Sequence, residues 1–267
     1  MDKHQWHDDE VRALAERGLT LENLGPLDRF NRVRPCYDSQ ENFFVAKATP
    51  RDSSEAAVLR SLIETPHCEN RVVPAELVDC QHSTLVIMPF LRTLLLASPE
   101  YVTVEQYLHL FTQMIEGLNF MHERNIAFGD IDAENIVWSV GALKLRSFKI
   151  DAHALYYIDF GAARRLSAGP GKGITISDYR KHGGHYRPPE GVEDLDPYAY
   201  DVYSLGETLY NTCRVAQERY SDFSFPPCLH KFIDTLRSPN PIHRPSMRVV
   251  RQQWSELRNC LLMTKDK

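Results

Sequence analysis

The sequence predicts an α+β fold in two parts, a small β-rich part followed by a larger helical one. Up to Met88, short apolar runs are separated by polar turn segments, the pattern of strands joined in hairpins. From Thr103 onward, apolar residues recur at spacings of three and four, the pattern of amphipathic helices. Pro89 breaks the last strand-like run, so the boundary falls near residues 89–92, where an inter-lobe cleft would lie.

Each element has a local reason. Residues 5–18 predict a short amphipathic helix, with Trp6, Val11, Leu14 and Ala15 on one side. Strands around Phe30–Cys36 and Phe43–Ala48 flank the polar YDSQEN and predict a hairpin. Residues 53–64 predict a helix capped by Ser53 or Ser54, with Val58, Leu59 and Leu62 on its buried face. A second strand pair is expected at Ala75–Asp79 and Thr84–Met88. Thr103 and Gln106 form a capping box. Behind it Val104, Leu108, Phe111, Ile115 and Leu118 mark one face of a long helix ending near Arg124. Strands around Ile136–Ser139 and Ala154–Ile158 are expected, separated by a long irregular segment. Residues 162–185 are rich in Gly, Arg and Ser without periodicity and predict a long mobile loop. Met247, Val250, Trp254, Leu257 and Leu261 mark the face of a last helix.

The 267 residues are 43% apolar and 25% charged, an ordinary globular composition with room for a sizeable core. A formal net charge of −5 argues against nucleic acid as the main partner, because phosphate binding needs a basic face. No apolar run approaches the ~18 residues of a membrane span. The start, MDKHQWHDDEVR, is too polar and acidic for a secretory signal. Cys36, Cys68, Cys80, Cys213, Cys228 and Cys260 are scattered without a C-x-x-C. They read as reduced thiols of a cytoplasmic or nuclear protein.

The richest stretch chemically is FGDIDAENIV, residues 128–137. Asp130 lies in a loop, Asn135 starts the next strand, and Asp159 ends the strand after that. An amide oxygen and a carboxylate on neighbouring strand ends suit a hard cation such as Mg²⁺, which also takes phosphate oxygens. Asp130 would then orient a nucleophile, an arrangement for phosphoryl transfer. The bland alternative is a polar turn, since Asp and Asn favour turns. An EF-hand fails, because Asn135 stands where Gly is needed and Gly141 where the bidentate Glu is needed. The D-x-D of some glycosyltransferases is also present, without other support for sugar-nucleotide chemistry.

At this point the sequence resembles the protein kinase superfamily, in order along nearly the whole chain, and looks most like the divergent kinase-like proteins of fungi. FFVAK resembles the strand carrying the phosphate-binding lysine, here Lys47. LVIMPFL resembles the hinge, with Met88 as gatekeeper and Phe90 and Leu91 as the backbone that meets adenine. FMHERNIAFGDIDAEN resembles the catalytic loop, which implies Asp130 as base and Asn135 as a magnesium ligand. YYIDFG resembles the segment whose aspartate, Asp159, is the main magnesium ligand. HYRPPEG resembles the end of the activation segment, with Glu190 paired to Arg244 of IHRP. AYDVYSLGETLY resembles the helix whose aspartate, Asp201, anchors the catalytic loop. The resemblance implies a kinase-like domain over residues 20–263, with an N-lobe at about 20–88, a hinge at 89–92 and a C-lobe at about 93–263. Residues 1–19 would be a helical extension. It further implies ATP and Mg²⁺ as cofactors and a protein substrate or partner, with no membrane.

Several positions depart from that pattern. Phe128 and Gly129 replace the usual histidine and arginine, and without the arginine a phosphate on Thr175 or Ser177 loses its main cationic receptor. Asp132 replaces a lysine that steadies the transferring phosphate, so neutralising it is expected to help phosphate binding. Gly183 replaces a threonine of the same network. There is no glycine between Gly25 and Gly117. Pro26, Asp28 and Asn31 fill the glycine positions of the phosphate loop, where side chains keep the backbone away and Asp28 repels phosphate. Glu55 is favoured as the partner of Lys47 for the apolar pattern after it. Glu64 has the more ordinary separation and a poorer pattern. These departures set a pseudokinase, a binding or scaffold module, against an active Ser/Thr kinase.

The remaining features carry less. SAGPGKGIT has Gly173 where a Walker A loop needs Ser or Thr. His4 and His7 share a helical face without fitting co-ligands, and Trp254 reads as core. Arg164 and Arg165 read as exposed charges or as a docking patch for phosphate or an acidic peptide.

Overall fold

The structure is a computed structural model and describes residues 3–22, 25–94, 103–179, 184–220 and 224–263. It divides into two compact units. The first comprises Met1–Pro66, Val72–Arg92 and Trp138–Ala154; the second comprises His67–Arg71, Thr93–Val137 and Leu155–Lys267.

The first unit is built on a five-stranded antiparallel sheet of β1 (Thr20–Leu21), β2 (Val33–Tyr37), β3 (Phe43–Pro50), β4 (Glu76–Asp79) and β5 (Ser83–Pro89), in the order β1-β2-β3-β5-β4. Alternation along β3 explains its two faces. Phe44, Ala46 and Ala48 turn into the core, and Lys47 turns to the other side, opposite Val33 and Val86 in register. Helix α1 (Asp8–Ala15) adds Ala13 and Leu14 to this core, joined by Leu19. The N-terminal extension is thus part of the first unit. Its buried Glu10 accepts from the His7 amide at 2.8 Å and from the Ser83 hydroxyl at 2.5 Å. Helix α2 (Ser54–Ile63) is capped by Ser53, whose hydroxyl accepts from the Ala56 amide, and it buries Val58, Leu59 and Leu62.

One expectation fails here. The segment after the Ile136 strand is a hairpin, β9 (Leu143–Leu145) and β10 (Phe148–Ile150), where an irregular run was expected. Leu-Lys-Leu and Phe-Lys-Ile alternate as strands do, and Arg146 takes φ 56° in the turn between them. Phe148 is buried in the core of the first unit, tilted against Phe44 with ring centres 6.2 Å apart.

The second unit is helical. After the short β6 (Arg92–Thr93), α3 (Val104–His122) starts at the Thr103–Gln106 capping box and buries Leu108, Phe111, Ile115 and Leu118. Short strands β7 (Ile126–Ala127), β8 (Ile136–Trp138), β11 (Leu155–Tyr157) and β12 (Arg164–Arg165) follow around the FGDIDAEN stretch, and β7 pairs with β12. Helices α4 (Pro197–Arg219), α5 (Pro227–Leu236) and α6 (Met247–Met263) complete the unit. Met247, Val250 and Trp254 of α6 are buried, and the Trp254 indole N–H donates to Thr112 Oγ1 of α3 at 2.9 Å. Leu257 and Leu261 are only half-buried.

The stretch expected as a mobile loop is tied down over its described part. β12 pairs with β7, Arg164 donates to Asp178 at 2.5 Å, and Ile176 bridges Leu195. Arg164 is therefore engaged within its own unit. Gly183 lies outside the described residues. Among the described residues no helix is long and apolar enough to cross a membrane.

Candidate active site

The centre of the second unit's polar loop is Asp201 on α4. It is fully buried (0% exposed) and each oxygen has a donor. Oδ1 accepts from the Gly129 amide at 2.7 Å. Oδ2 accepts from the Phe128 amide at 2.8 Å and is bonded to His122 Nε2 at 2.9 Å. A buried carboxylate persists only when so satisfied. Phe128 is fully buried and meets Tyr157 and Phe160 edge to face, so it is a packing residue. Gly129 has φ 81°, and a Cβ there would lie 2.9 Å from the Ala162 carbonyl oxygen. An L side chain fits this backbone poorly; the arginine expected at this position is excluded by geometry as well as by sequence.

Asp130 follows directly. Its Oδ1 accepts from the His185 amide at 2.6 Å, and Oδ2 accepts from Asn135 Nδ2 at 2.9 Å. Asn135 Nδ2 also donates to the Asp130 carbonyl at 3.0 Å. Burial holds the Asp130 carboxyl above the usual carboxylate range, and the nearby Asp159 charge pushes it the same way. The His185 and Asn135 hydrogen bonds act in the opposite direction. Gly184 has no room for a Cβ, which would strike Tyr200 Oη and the Gly129 carbonyl, so the His185 amide approaches Asp130 closely.

Asp159 is exposed and has φ 58°, a strained value for a non-glycine residue and one that clusters at functional sites. Its Oδ1 accepts from the Gly161 amide at 3.2 Å. Among the described residues no three His, Cys, Asp or Glu side chains are placed to hold a metal. Mg²⁺ does not need three, because it keeps waters and phosphate oxygens beside one or two protein oxygens. Asn135 turns its amide hydrogens to Asp130 and leaves Oδ1 for another partner, and two carboxylates repel each other beside it. These groups fit a hard divalent cation.

Asp132 does not have the surroundings expected of it. It is buried, its Oδ1 accepts from the Glu134 amide at 2.9 Å, and its Oδ2 accepts from Tyr186 Oη at 3.0 Å. His185 Nε2 lies 3.7 Å away. The Tyr186 hydroxyl also accepts from Asn211 Nδ2 at 3.3 Å. The carboxylate therefore holds the chain after Gly184 in place, and the expectation that neutralising it helps phosphate binding is withdrawn. Glu190 receives a two-pronged bond from Arg244 at 2.7 and 2.6 Å.

In the first unit, Lys47 Nζ donates to Glu55 Oε1 at 2.5 Å, and Thr49 Oγ1 donates to Oε2 at 3.1 Å. The lysine and glutamate side chains are 12% and 8% exposed, so Lys47 is no surface lysine; Glu64 is exposed at the end of α2. Met88 is buried opposite Val45. The Phe90 amide donates to the Phe43 carbonyl at 3.2 Å, so it is not open to adenine, and Leu91 is half-buried. Sequence reasoning missed His122, the His185 amide, Tyr186 and Asn211. His122 alone left a signal, one turn beyond Leu118 on the buried face of α3.

A protein kinase domain profile matches residues 54–224, well over half of the chain and beginning just beyond Lys47. The chain belongs to the protein kinase domain family, and its fold is the α+β kinase-like fold. It is 30% identical over 159 residues to a Wee1-like protein kinase of Oryza sativa subsp. japonica, covering 54% of this chain and 27% of that one. It is 30% identical over 122 residues to a probable serine/threonine-protein kinase MRK1 homolog of Encephalitozoon cuniculi, covering 45% and 31%. Over 105 residues it is 30% identical to serine/threonine-protein kinase stk11 of Xenopus laevis, covering 38% and 21%. The chain thus spans less than a third of the length of each of these relatives.

Proposed function

We propose that this chain is a protein kinase that transfers the γ-phosphate of Mg-ATP to a Ser or Thr hydroxyl of a protein. The observation that carries the reading is Asp130, held by the His185 amide and Asn135 next to a loop anchored on Asp201. Such a carboxylate accepts the proton of an attacking hydroxyl and orients it, the positioning role on which phosphoryl transfer depends. Asn135 and Asp159 are the proposed magnesium ligands, and Mg²⁺ supplies neutralisation of the phosphate charge. Lys47, set by Glu55, is the proposed phosphate contact. Met88 borders the adenine, whose backbone contacts fall on the Phe90 carbonyl and Leu91. The choice of Ser/Thr rests on relatives named as serine/threonine kinases. Six cysteines, none of them in a disulfide, support a cytoplasmic or nuclear location. The net charge of −5 supports a protein partner over nucleic acid.

A second reading, a pseudokinase that binds partners without useful transfer, is favoured by Asp132. At that position this chain has a carboxylate bonded to Tyr186 and no cation. Thermal unfolding with and without Mg-ATP separates the outcomes. The active reading expects a metal-dependent rise in the wild type that is lost in Asp159→Asn. It also expects Asp130→Asn to keep the rise and lose transfer. Absence of any rise at millimolar nucleotide sinks it in favour of the scaffold.

A further inference from the structure

The described stretch that leads into β2 closes upon itself at Asp28. Asp28 Oδ1 accepts from the Arg32 amide at 2.8 Å and the Val33 amide at 2.9 Å, and Oδ2 accepts from the Phe30 amide at 3.2 Å. Asn31 takes φ 57°, which bends the chain around that carboxylate. Backbone N–H groups converging in this way form a concavity that binds an anion. Here the anion is the loop's own side chain.

The same loop is held from outside by the N-terminal segment. The His4 amide donates to the Phe30 carbonyl at 2.7 Å, Asn31 Nδ2 donates to the His4 carbonyl at 2.7 Å, and the Trp6 indole N–H donates to the Asn31 carbonyl at 2.9 Å. Trp6 packs against the core of the first unit, and His4 Nε2 lies 3.0 Å from the buried Glu10. Both ends of this strap are therefore fixed. The loop adjoins the proposed phosphate lysine, because Val33, whose amide Asp28 holds, stands opposite Lys47 in the β2–β3 register.

We propose that Asp28 is an internal stand-in for a nucleotide phosphate, kept in place by the His4–Trp6 strap, so that this loop is shut to phosphate. The proposal rests on the nucleotide-binding reading and deepens it. A backbone amide has one hydrogen to give. Those of Phe30, Arg32 and Val33 are already given, and the carboxylate repels a second anion. Phosphate affinity then falls to Lys47 and the metal ligands, and loosening the strap raises it.

The test is calorimetric titration of wild type, Asp28→Gly and Trp6→Phe with Mg-ATP and, separately, with adenosine, which carries no phosphate. Asp28→Gly is expected to raise Mg-ATP affinity about tenfold, the order set by one charge-assisted hydrogen bond, and to leave adenosine affinity unchanged. Trp6→Phe, which removes one strap bond and keeps an aromatic ring, should give a smaller rise of the same kind. Asp28→Asn serves if the glycine variant does not fold, because it removes the repelling charge. Hydrogen exchange without nucleotide is the companion readout: the Phe30, Arg32 and Val33 amides should be protected in wild type and faster in Asp28→Gly. Fast exchange in wild type overturns the proposal. So does an unchanged ratio of ATP to adenosine affinity in variants that melt normally. If wild type binds Mg-ATP through Asp159 while the Asp28 variants change nothing, the loop assignment falls and the kinase reading stands. If Asp28→Gly binds and wild type does not, the closed loop is supported outright. If neither binds any nucleotide, both fall.

Discussion

Exchange of a single oxygen at Asp201 tests what holds the loop that carries Asp130. Asp201→Asn keeps the shape and removes the charge. The carboxamide retains one oxygen, best placed at the Oδ2 position, where it serves the Phe128 amide and His122 Nε2. Its –NH₂ then faces the Gly129 amide, donor against donor, in place of a 2.7 Å bond. Losing one charge-assisted bond costs about 1.5–3 kcal/mol, and stranding a buried donor costs about 1–3 kcal/mol. The two overlap, so about 3 kcal/mol is expected. Asp201 is 0% exposed, so water does not replace the lost partner. Against a typical stability of about 5–15 kcal/mol this is a large fraction. It lowers the melting midpoint by roughly 6–12 °C, at about 2–4 °C per kcal/mol for a chain of this size. Urea denaturation gives the loss of stability. Hydrogen exchange locates it: the Gly129 amide should speed up, while the amides in the middle of α6 should follow only the global change. A loss under about 1 kcal/mol, or an unchanged Gly129 rate, refutes the claim that this carboxylate holds the loop.

Three further outcomes follow from neighbouring residues. Gly129→Ala should cost about 1–3 kcal/mol, because φ is 81° and the new Cβ meets the Ala162 carbonyl oxygen; an unchanged melting curve would mean that the glycine backbone is not required. Asp132→Ala should cost about 1–2 kcal/mol by taking the acceptor from the Tyr186 O–H and the Glu134 amide, with Mg-ATP affinity unaltered; a several-fold rise in affinity would restore a phosphate-facing role for Asp132. Asp130 ionises less readily in the folded protein, chiefly through burial. Its charge therefore lowers stability as pH rises from the unfolded pKa through the folded one, and this penalty vanishes below both. Asp130→Asn should be more stable than wild type near neutral pH, with the gain shrinking as pH falls toward 4; urea midpoints across that range that run parallel would contradict the assignment.

What could be read in the sequence was what neighbours in sequence decide. The Thr103–Gln106 cap, the buried face of α3 and the alternation that turns Lys47 out of the core all follow from residues a few positions apart. The hairpin of β9 and β10 was missed although LKL and FKI alternate, because Arg-Ser carries no turn signal and Arg146 adopts φ 56° without being Gly or Asn. Glu55 was separated from Glu64 only by the apolar pattern after it. The structure shows the physical reason for the short spacing: β3 runs on to Pro50 and Ser53 caps α2 at once, so Glu55 lies in its first turn, within reach of Lys47.

What could not be read was direction. Asp132 was weighed as a charge beside phosphate because a lysine is expected there, and sequence gives the sign of a charge but not the atom it faces. Its actual partner, Tyr186, is 54 residues away, just as the Gly129 amide is 72 residues from Asp201. The same holds for Asp28, whose repulsion of phosphate was legible while its capture of three amides of its own loop was not. In both cases a carboxylate that looked unpaired against an expected ligand is paired within the protein. Counting acidic departures from the kinase pattern therefore misjudges them. Asp132 is engaged with Tyr186 and leaves Asp130 supported, so what it holds against catalysis is the missing cation and not a carboxylate turned toward phosphate. Asp28 takes up the amides a phosphate would use, so it argues against tight nucleotide binding more strongly than its charge alone would suggest.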